Sequence, residues 1–365
     1  MLHERLSTVL KDWLAQHPSA PGVQCAIHFP ASGQSSEINV ELAVESETFK
    51  SSHKGVRPLT PTTPWRIASI TKTFVSVAVL RLYELASLDL DAPAGDYLPQ
   101  WASELLEKMT LEGDGSARRA SVKMLLQHTS GLYDGSVSQA LDERLRKDPN
   151  HRWTAEELLT FSAQHGEPVD RPGERFHYSD TGYIFLGILI EHVTNKDMAT
   201  AVRELTDMDR LRLSSTWWEI FERPPRETSE EKANQYLGDT DISDFDYSFD
   251  SFGGGGLISN SVDLNRFTIA VHKGELLRKN TMRLLYSTVP VSPESYIAPK
   301  LSEYGLGWIK SISHGHQIWW HLGFWGSWTG YVPQLDLAIS GSYNQGDNPF
   351  PLASLILQNI LETKG

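Results

Sequence analysis

Residues 64–72 read Pro-Trp-Arg-Ile-Ala-Ser-Ile-Thr-Lys, an extended segment that runs directly into a strongly apolar helix. From Ser69 to about Leu88, apolar residues recur at intervals of roughly three and four, which predicts the helix. Because its apolar residues occupy most of its surface, we expect this helix to be buried between two parts of the molecule. Ser69 opens the helix, and Lys72 follows one turn later.

On both sides of this helix the pattern changes to alternating, β-rich segments. Upstream, an amphipathic helix over 1–16 precedes predicted strands at 23–29 and 37–44. The middle of the chain is mainly helical, most clearly at 121–127, 154–164 and 180–194. Near the C-terminus, further strands are predicted at 307–312, 317–321, 327–332 and 337–343, with a last helix at 352–361.

This distribution predicts an α+β fold in which both ends of the chain build one antiparallel sheet flanked by helices. We expect a single domain over 1–365, with a sheet lobe from about 1–68 and 255–365. A mainly helical lobe, about 69–254, is inserted between them. Within it, residues 226–250 are rich in acidic side chains and are predicted to form an exposed loop, over a cleft.

Composition excludes several classes of function. The net charge is -13, which repels nucleic acid backbones and anionic membrane surfaces, so neither is an expected partner. Cys25 is the sole cysteine, so an intrachain disulfide or a thiolate metal cluster is impossible. The N-terminal residues lack the pattern of a signal peptide, and no apolar run is long enough to span a membrane. These features predict a cytoplasmic protein.

Ser69 and Lys72 have the spacing that nucleophilic catalysis by serine requires. Residues three apart share a helix face, so the Lys72 amine is within reach of the Ser69 hydroxyl. A serine hydroxyl becomes a good nucleophile when a base takes its proton. Residues 51–54, Ser-Ser-His-Lys, have the same spacing but lead into Gly55 and open no helix. Position at the start of a buried helix therefore distinguishes Ser69.

Two more segments carry residues suited to a cleft. Tyr178-Ser179-Asp180 precedes a helical run, where a neighbouring ammonium would favour the tyrosine phenolate, or where Asp180 simply caps the helix. His321-Leu322-Gly323 lies at the end of a predicted strand. A small residue there lets a substrate lie along the strand edge, although a plain turn glycine has the same pattern.

Together with other segments in the same order, these residues resemble one known family. The matching segments are Pro64-Trp65-Arg66-Ile67-Ala68-Ser69, Leu88-Asp89-Leu90-Asp91-Ala92-Pro93, Leu125-Leu126-Gln127-His128-Thr129-Ser130-Gly131-Leu132, Gly254-Gly255-Gly256-Leu257 with Asp263 and Phe267, and Tyr304-Gly305-Leu306-Gly307-Trp308. The chain resembles the serine β-lactamase and penicillin-binding-protein superfamily, especially its class C β-lactamase, DD-carboxypeptidase, D-aminopeptidase and esterase branch. The resemblance covers nearly the whole chain and implies the β-lactamase/transpeptidase-like fold.

The resemblance also implies roles for individual residues. Ser69 is then the acylated nucleophile, Lys72 its proton-transfer partner and Tyr178 a general base. The oxyanion hole is formed by the backbone N–H groups of Ser69 and Phe324. The implied substrate-binding residues are Asp180, His321 and Gly323.

Two of these positions depart from the family pattern. Asp180 stands where β-lactamases commonly have Asn, and a carboxylate cannot donate a hydrogen bond to the acylamide group of a substrate. His321 stands where many members have Lys, and a largely neutral histidine binds a substrate carboxylate weakly. Both departures argue against efficient penicillin hydrolysis.

The sequence therefore predicts a serine acyl hydrolase that acts on a small ester or amide through an acyl-serine intermediate. It needs no cofactor and no metal. The first alternative is a D-amino-acid peptidase or a β-lactam-recognising enzyme, such as a DD-peptidase or weak β-lactamase. That alternative requires a cation near His321, for which Arg266 or a lysine within 299–310 is a candidate. The second alternative is a catalytically inactive relative that serves as a binding scaffold, with Ser69, Lys72 and Tyr178 left unused.

Overall fold

The computed structural model describes residues 2–30, 38–111, 119–225, 231–293, 295 and 302–364. Its helices are α1 Leu2–Gln16, α2 Glu47–Ser52, α3 Thr71–Glu84, α4 Gln100–Lys108, α5 Val122–Leu126, α6 Gln139–Lys147, α7 Ala155–His165, α8 Asp180–Thr194, α9 Met198–Leu205, α10 Ser261–His272, α11 Lys279–Leu285 and α12 Phe350–Lys364. Its strands are β1 Gly22–Phe29, β2 Ile38–Glu45, β3 Trp65–Arg66, β4 Trp217–Trp218, β5 Tyr236–Leu237, β6 Thr240–Asp241, β7 Leu257–Ser259, β8 Val289–Pro290, β9 Glu303–Tyr304, β10 Ile309–Ser313, β11 His316–Gly323, β12 Ser327–Val332 and β13 Leu337–Ser342.

Both ends of the chain contribute to one antiparallel sheet. Its eight strands follow the order β2-β1-β13-β12-β11-β10-β9-β8. The two ends meet where β1 pairs with β13, with Ile27 opposite Ile339. The α+β fold with an antiparallel sheet assembled from both termini, as predicted from the sequence, is thereby confirmed.

Helices cover both faces of this sheet. On one face, Leu6, Leu10 and Leu14 of α1 pack with α12 against the strands in a continuous apolar core. On the other face lies α10, whose Asn265 amide donates a hydrogen bond of 3.1 Å to the carbonyl of Ala26 in β1. Helix α10 also contacts α3, through Phe267.

Helix α3 is buried between α10 and the other central helices, as its apolar pattern predicts. Phe74 of α3 stacks on Phe267 of α10 with ring centroids 3.6 Å apart, and α3 also packs against α8 and α9. In the described part of the chain, the helices include none that is long and apolar enough to cross a membrane. The division into a sheet lobe and a helical lobe at 68/69 and 254/255 stays a prediction.

Several predicted boundaries differ from the structure for local reasons. The helix predicted from Ser69 begins as one turn of 3-10 helix over Ala68–Ile70, and α3 starts at Thr71. The strand predicted at 307–312 begins later, at Ile309. Gly307 has a φ of 81° and lies too close to α3 for a side chain, since an added Cβ would be 2.6 Å from that of Ser76.

The acidic segment 226–250 is not an exposed loop where the structure describes it. Residues 226–230 lie outside the described residues, but Tyr236, Ile242 and Tyr247 are buried. The buried guanidinium of Arg66 explains the difference, because it donates hydrogen bonds to the carbonyls of Ile242 and Ser243 at 3.0 Å each. The prediction of exposure is therefore wrong for these buried residues, whereas residues 238–241 are exposed as predicted.

Candidate active site

Ser69 lies in a strained turn between a short strand and the buried helix α3. Strand β3 pairs with β7, and the chain then turns through Ala68, which has a φ of 48°. This left-handed conformation costs free energy for a residue with a side chain, and it persists where packing holds it, often beside reactive groups. Ala68 packs in a small apolar cluster with Tyr247 and Trp325. The turn places Ser69, half-buried, at the surface of a cleft.

Lys72 is fully buried directly beside Ser69. Its Nζ lies 2.9 Å from Ser69 Oγ and 2.5 Å from the carbonyl oxygen of Gly254. It also lies 2.6 Å from a carboxylate oxygen of Asp180. An ammonium group inside a protein is tolerated when such partners replace water. The structure thus brings Ser69, Lys72 and Asp180 together, as the helix spacing and the family resemblance led us to expect.

Tyr178 completes this group from the loop before α8. Its hydroxyl is hydrogen-bonded with Ser69, and burial, together with the nearby charge of Asp180, raises the pKa of the Tyr178 phenol well above its usual value. The sequence had suggested that a neighbouring ammonium would favour the phenolate. In the structure Lys72 is paired with Asp180, so its positive charge is largely offset and the phenol stays protonated in the free protein.

Asp180 is placed for its ion pair and does not cap the helix. It is the first residue of α8, while the N-cap is Ser179, whose side chain makes no capping hydrogen bond. The backbone N–H of Asp180 donates to a carboxylate oxygen of Asp134 at 3.2 Å. Asp180 also lines the cleft beside Ser69, so its carboxylate is available to a bound molecule as well as to Lys72.

Sequence reasoning missed two further carboxyl groups near Asp180. Burial, followed by the charge of Asp180, raises the pKa of both Asp134 and Asp250 to about 7. Asp250 accepts a hydrogen bond of 2.7 Å from the Tyr247 hydroxyl, which itself accepts one of 2.6 Å from the indole of Trp325. Neither aspartate stands in a spacing that distinguishes it from its acidic neighbours, so the sequence offered no signal.

The glycines at the site serve close packing of the backbone. An added Cβ at Gly323 would lie 2.3 Å from the carbonyl oxygen of Ile67 and 2.2 Å from Ser327 Oγ. An added Cβ at Gly255 would lie 2.1 Å from a carboxylate oxygen of Asp250. Gly323 therefore lets the end of β11 approach the turn that carries Ser69, rather than merely making room for a substrate.

Phe324 follows Gly323 and lies at the cleft, with its side chain 54% exposed. Since β11 ends against the Ser69 turn, the backbone groups of Ser69 and Phe324 both border the cleft. Their role as an oxyanion hole stays a prediction, and the placement of both residues agrees with it.

His321 does not reach the cleft. The side chain is 1% exposed, and its two ring nitrogens lie 3.0 Å from the Tyr304 hydroxyl and 2.8 Å from the carbonyl oxygen of Leu322. Burial and the charge of Lys72 lower the pKa of His321 to about 3. The imidazole is therefore neutral, and direct contact between His321 and a substrate has no support from this geometry.

The cations proposed for a substrate carboxylate are also elsewhere. Arg266 lies on α10 and contacts the carbonyl of Arg212 and the carboxylate of Asp263. Lys310 forms an ion pair of 3.0 Å with Glu303, and Lys300 lies outside the described residues. Among the described residues that line the cleft, Arg146 is the basic one, and it pairs with Asp142 at 2.8 Å.

The cleft around Ser69 is large and mainly apolar. Its volume is about 2090 Å³. The apolar side chains in its walls include Val137, Leu145, Leu237, Ile242, Phe245, Tyr247, Phe249, Pro290, Val291, Leu322, Phe324 and Trp325. One wall is the segment 237–250, which Arg66 fixes through its carbonyl contacts and through its stacking 4.3 Å above the Tyr247 ring. This wall is preformed, so a bound molecule would not have to order it.

The fold and this site define a protein of the serine β-lactamase and penicillin-binding-protein superfamily, with a serine at the start of a buried helix and a lysine one turn later. A family model described as beta-lactamase matches residues 41–360. The chain belongs to the beta-lactamase family.

Two relatives are similar to this chain over part of its sequence. The chain is 34% identical to esterase EstB of Burkholderia gladioli over 162 residues, which is 41% of this chain and 37% of that protein. It is 31% identical to protein flp of Staphylococcus aureus over 136 residues, 37% of this chain and 24% of flp. The matched region thus spans well under half of the length of either relative.

Solved structures show the same fold over nearly the whole chain. D-amino acid amidase from Ochrobactrum anthropi, in complex with D-phenylalanine, superimposes with a TM-score of 0.78 at 22% identity, covering 99% of each chain. A penicillin-binding protein homologue from Pyrococcus abyssi superimposes with a TM-score of 0.74 at 21% identity, covering 98% of this chain and 77% of that one. At this level of identity the likeness concerns the fold.

Proposed function

We propose that this protein is a serine hydrolase that cleaves an ester or amide through an acyl-Ser69 intermediate. The observation that carries the proposal is the convergence of three groups at one point of the cleft. Ser69 Oγ lies 2.9 Å from the Lys72 amine and is hydrogen-bonded with the Tyr178 phenol. A nucleophile with two proton-transfer partners is what acyl transfer needs, whereas a binding scaffold has no use for it.

In the first step, Ser69 Oγ attacks the carbonyl carbon of the substrate. Its proton passes to Lys72 as the lysine hands one proton to the adjacent carboxylate of Asp180. The backbone N–H groups of Ser69 and Phe324 stabilise the oxyanion. The bond to the leaving group then breaks, and the Tyr178 phenol supplies the proton that the leaving group requires.

In the second step, the Tyr178 phenolate accepts a proton from an incoming water molecule, which attacks the acyl carbon. Collapse of this intermediate releases the acid, and Ser69 regains its proton from Asp180 through Lys72. The cycle balances without any added cofactor. An alcohol or amine in place of water would give acyl transfer in place of hydrolysis.

The walls of the cleft support an uncharged substrate with apolar groups. Most of the exposed surface of the cleft is apolar, and the described lining includes more carboxylates than basic groups. A substrate carboxylate, as in penicillins, would meet Asp180 and Asp250 rather than a free cation. We therefore place esters and amides without a free carboxylate ahead of β-lactams.

A D-amino-acid amide or peptide is the second candidate. The specific observation in its favour is that Asp180 and Asp250 both line the cleft that holds Ser69, where a substrate ammonium could pair with either carboxylate. D-amino acid amidase from Ochrobactrum anthropi shares the fold. This candidate predicts faster hydrolysis of amides that carry a free amino group than of their N-acetylated forms.

The test is covalent labelling combined with turnover. The protein is incubated with p-nitrophenyl acetate and butyrate, with D-phenylalanine amide and its N-acetyl form, and with a fluorescent penicillin. Adducts are then located by peptide mass spectrometry, with Ser69→Ala in parallel. Ester or amide turnover and a Ser69 adduct, both lost in Ser69→Ala, would support the mechanism. Turnover that survives in Ser69→Ala would rule the mechanism out.

The charge of the chain bears on its expected partners. The net charge of -13 supports small molecules, rather than nucleic acids, as partners. The cytoplasmic location stays a prediction from the sequence.

A further inference from the structure

His128, in the segment His-Thr-Ser-Gly-Leu, holds Tyr178 from both sides. The backbone N–H of His177 donates to the His128 carbonyl at 2.7 Å, and the backbone N–H of Ser179 donates to His128 Nδ1 at 3.1 Å. The imidazole ring also packs on the Tyr178 ring, with centroids 4.2 Å apart. The two neighbours of Tyr178 in the chain are thus both attached to this one buried histidine.

The bond from Ser179 fixes the tautomer of His128. A backbone N–H can only donate, so Nδ1 of His128 must be the unprotonated nitrogen. Burial, followed by the charge of Lys72, lowers the pKa of His128 well below its usual value, so the ring is neutral and its proton is on Nε2. That Nε2–H lies 3.2 Å from the Tyr304 hydroxyl oxygen, which accepts the bond.

His321 has the opposite tautomer for the same kind of reason. The carbonyl of Leu322, 2.8 Å from Nδ1, can only accept, so Nδ1 of His321 carries the proton of this neutral ring. Nε2 must then accept, and the Tyr304 hydroxyl is 3.0 Å away. Tyr183, the other phenol next to Tyr304, gives its own proton to the carbonyl of Leu126 at 3.0 Å. The better acceptor for the Tyr304 proton is the imidazole nitrogen.

We propose that Tyr304 is a positioning residue whose hydroxyl joins His128 and His321 into one directional chain of hydrogen bonds. The chain runs from the Ser179 N–H through His128, Tyr304 and His321 to the carbonyl of Leu322. It connects the loop that carries Tyr178 to the end of β11, where Phe324 borders the cleft. The role assigned to this chain in catalysis rests on the proposed function.

The consequence is a fixed distance between the tyrosine and the oxyanion donor. The two histidines and Tyr304 are buried, and the Tyr304 hydroxyl also contacts Tyr183, so the direction of the chain depends on which acceptor takes the Tyr304 proton. Without the Tyr304 hydroxyl, a nitrogen on each histidine loses its partner in a dry environment, which favours local rearrangement. Displacement of catalytic groups by about 1 Å can lower a rate by about 100-fold.

The first test measures the tautomers directly and needs no substrate. The protein is labelled with ¹⁵N-histidine, and long-range ¹H–¹⁵N spectra are recorded near neutral pH, with His128→Gln and His321→Gln used for assignment. We expect neutral rings, with the proton on Nε2 in His128 and on Nδ1 in His321. A charged His321, or a proton on its Nε2, would overturn the proposal.

The second test compares Tyr304→Phe with Tyr286→Phe. Tyr286 is a matched control because its hydroxyl also bonds a histidine, the half-buried His272, at 2.8 Å, but outside this chain of hydrogen bonds. We expect Tyr304→Phe to lower kcat for ester hydrolysis by about tenfold or more with KM within about twofold, and Tyr286→Phe to change neither. Equal effects of the two variants would overturn the positioning role.

The two tests separate this proposal from the proposed function. In Tyr304→Phe the ¹⁵N resonance of His321 Nε2 should shift as expected for an acceptor that loses its donor, and an unchanged resonance would contradict the chain. The wild-type protein could show the predicted tautomer in each of the two histidines and yet hydrolyse neither esters nor amides. In that case the hydrogen-bond chain would be supported while the hydrolase proposal fails.

Discussion

The Nζ atom of Lys72 and a carboxylate oxygen of Asp180 lie 2.6 Å apart, with the lysine fully buried and the carboxylate 15% exposed. The sequence resemblance implies that an uncharged Asn is common at the position of Asp180, and the carboxylate here instead forms an ion pair with Lys72. Asp180 serves as the counter-ion of Lys72 and also raises the pKa of Tyr178, Asp134 and Asp250. A change at Asp180 should therefore alter both the stability of the protein and the chemistry of the cleft.

Asp180→Asn should destabilise the protein, because it leaves the buried Lys72 ammonium without its counter-ion. Loss of one partner of a buried ion pair costs about 3–5 kcal/mol, and the partial exposure of Asp180 places our expectation near about 3 kcal/mol. The free energy of unfolding is measured in urea. Lys72→Met/Asp180→Asn removes both charges and should recover part of the loss. A double variant that is as unstable as the sum of the single variants would show that the pair is not coupled.

Asp180→Asn should also change the choice of acylating agent. An Asn amide can donate a hydrogen bond to the acylamide carbonyl of a penicillin, which a carboxylate cannot do. We expect the rate of Ser69 acylation by a fluorescent penicillin to rise relative to the rate with p-nitrophenyl butyrate. Asp180→Ala, which removes the charge but supplies no donor, is the control. A ratio that is equal in the Asn and Ala variants would argue that charge alone sets the preference.

Asp250→Asn should make the protein more stable at neutral pH and not at acidic pH. Burial and the charge of Asp180 raise the pKa of this carboxyl from its ordinary value of 3.8 to about 7 in the folded protein. The stability that the protonated carboxyl contributes is fully present when the pH is below its pKa in the unfolded protein. It is lost as the pH rises through its pKa in the folded protein. The variant should therefore gain in Tm over wild type between about pH 4 and pH 8.

The control for Asp250 is Asp239→Asn, because the Asp239 side chain is 91% exposed. Its substitution should change the difference in Tm from wild type between about pH 4 and pH 8 by less than Asp250→Asn does. The two ends of the pH range are about pH 4 and pH 8. If the gain in Tm of Asp250→Asn over wild type were the same at both, a raised pKa of Asp250 would be contradicted.

The sequence anticipated those parts of the site that depend on local spacing. Ser69 and Lys72 are close because residues three apart share a helix face, and the buried α3 follows from its apolar periodicity. Contacts that join distant segments were not accessible in this way. Asp250 belongs to the cleft wall 237–250, which is held in place by Arg66. Arg66 bonds the carbonyl of Ile242 in this wall, and the two residues are 176 positions apart in sequence. Similarly, no local pattern indicates that His321 faces Tyr304 and leaves the cleft to its neighbours.

Gly323→Ala should reduce activity strongly while the protein remains folded. The added Cβ would lie 2.3 Å from the backbone carbonyl of Ile67, and a backbone atom is harder to displace than the end of a side chain. The end of β11 must then move away from the turn that carries Ser69, and with it the backbone N–H of Phe324. We expect kcat/KM for ester hydrolysis to fall by about 100-fold, since displacement of about 1 Å has effects of this size.

The matched control is Gly330→Ala on the adjacent strand β12. There the added Cβ would lie 3.2 Å from Cδ1 of Ile318 and 3.3 Å from Cβ of Trp320, contacts that small side-chain shifts can relieve. This variant should keep kcat/KM within about threefold of wild type. Circular dichroism and Tm establish that both variants are folded. If Gly323→Ala retained full activity, the close approach of β11 to Ile67 would have no part in placing the oxyanion donor. The donor would then be another backbone N–H group at the cleft and not that of Phe324.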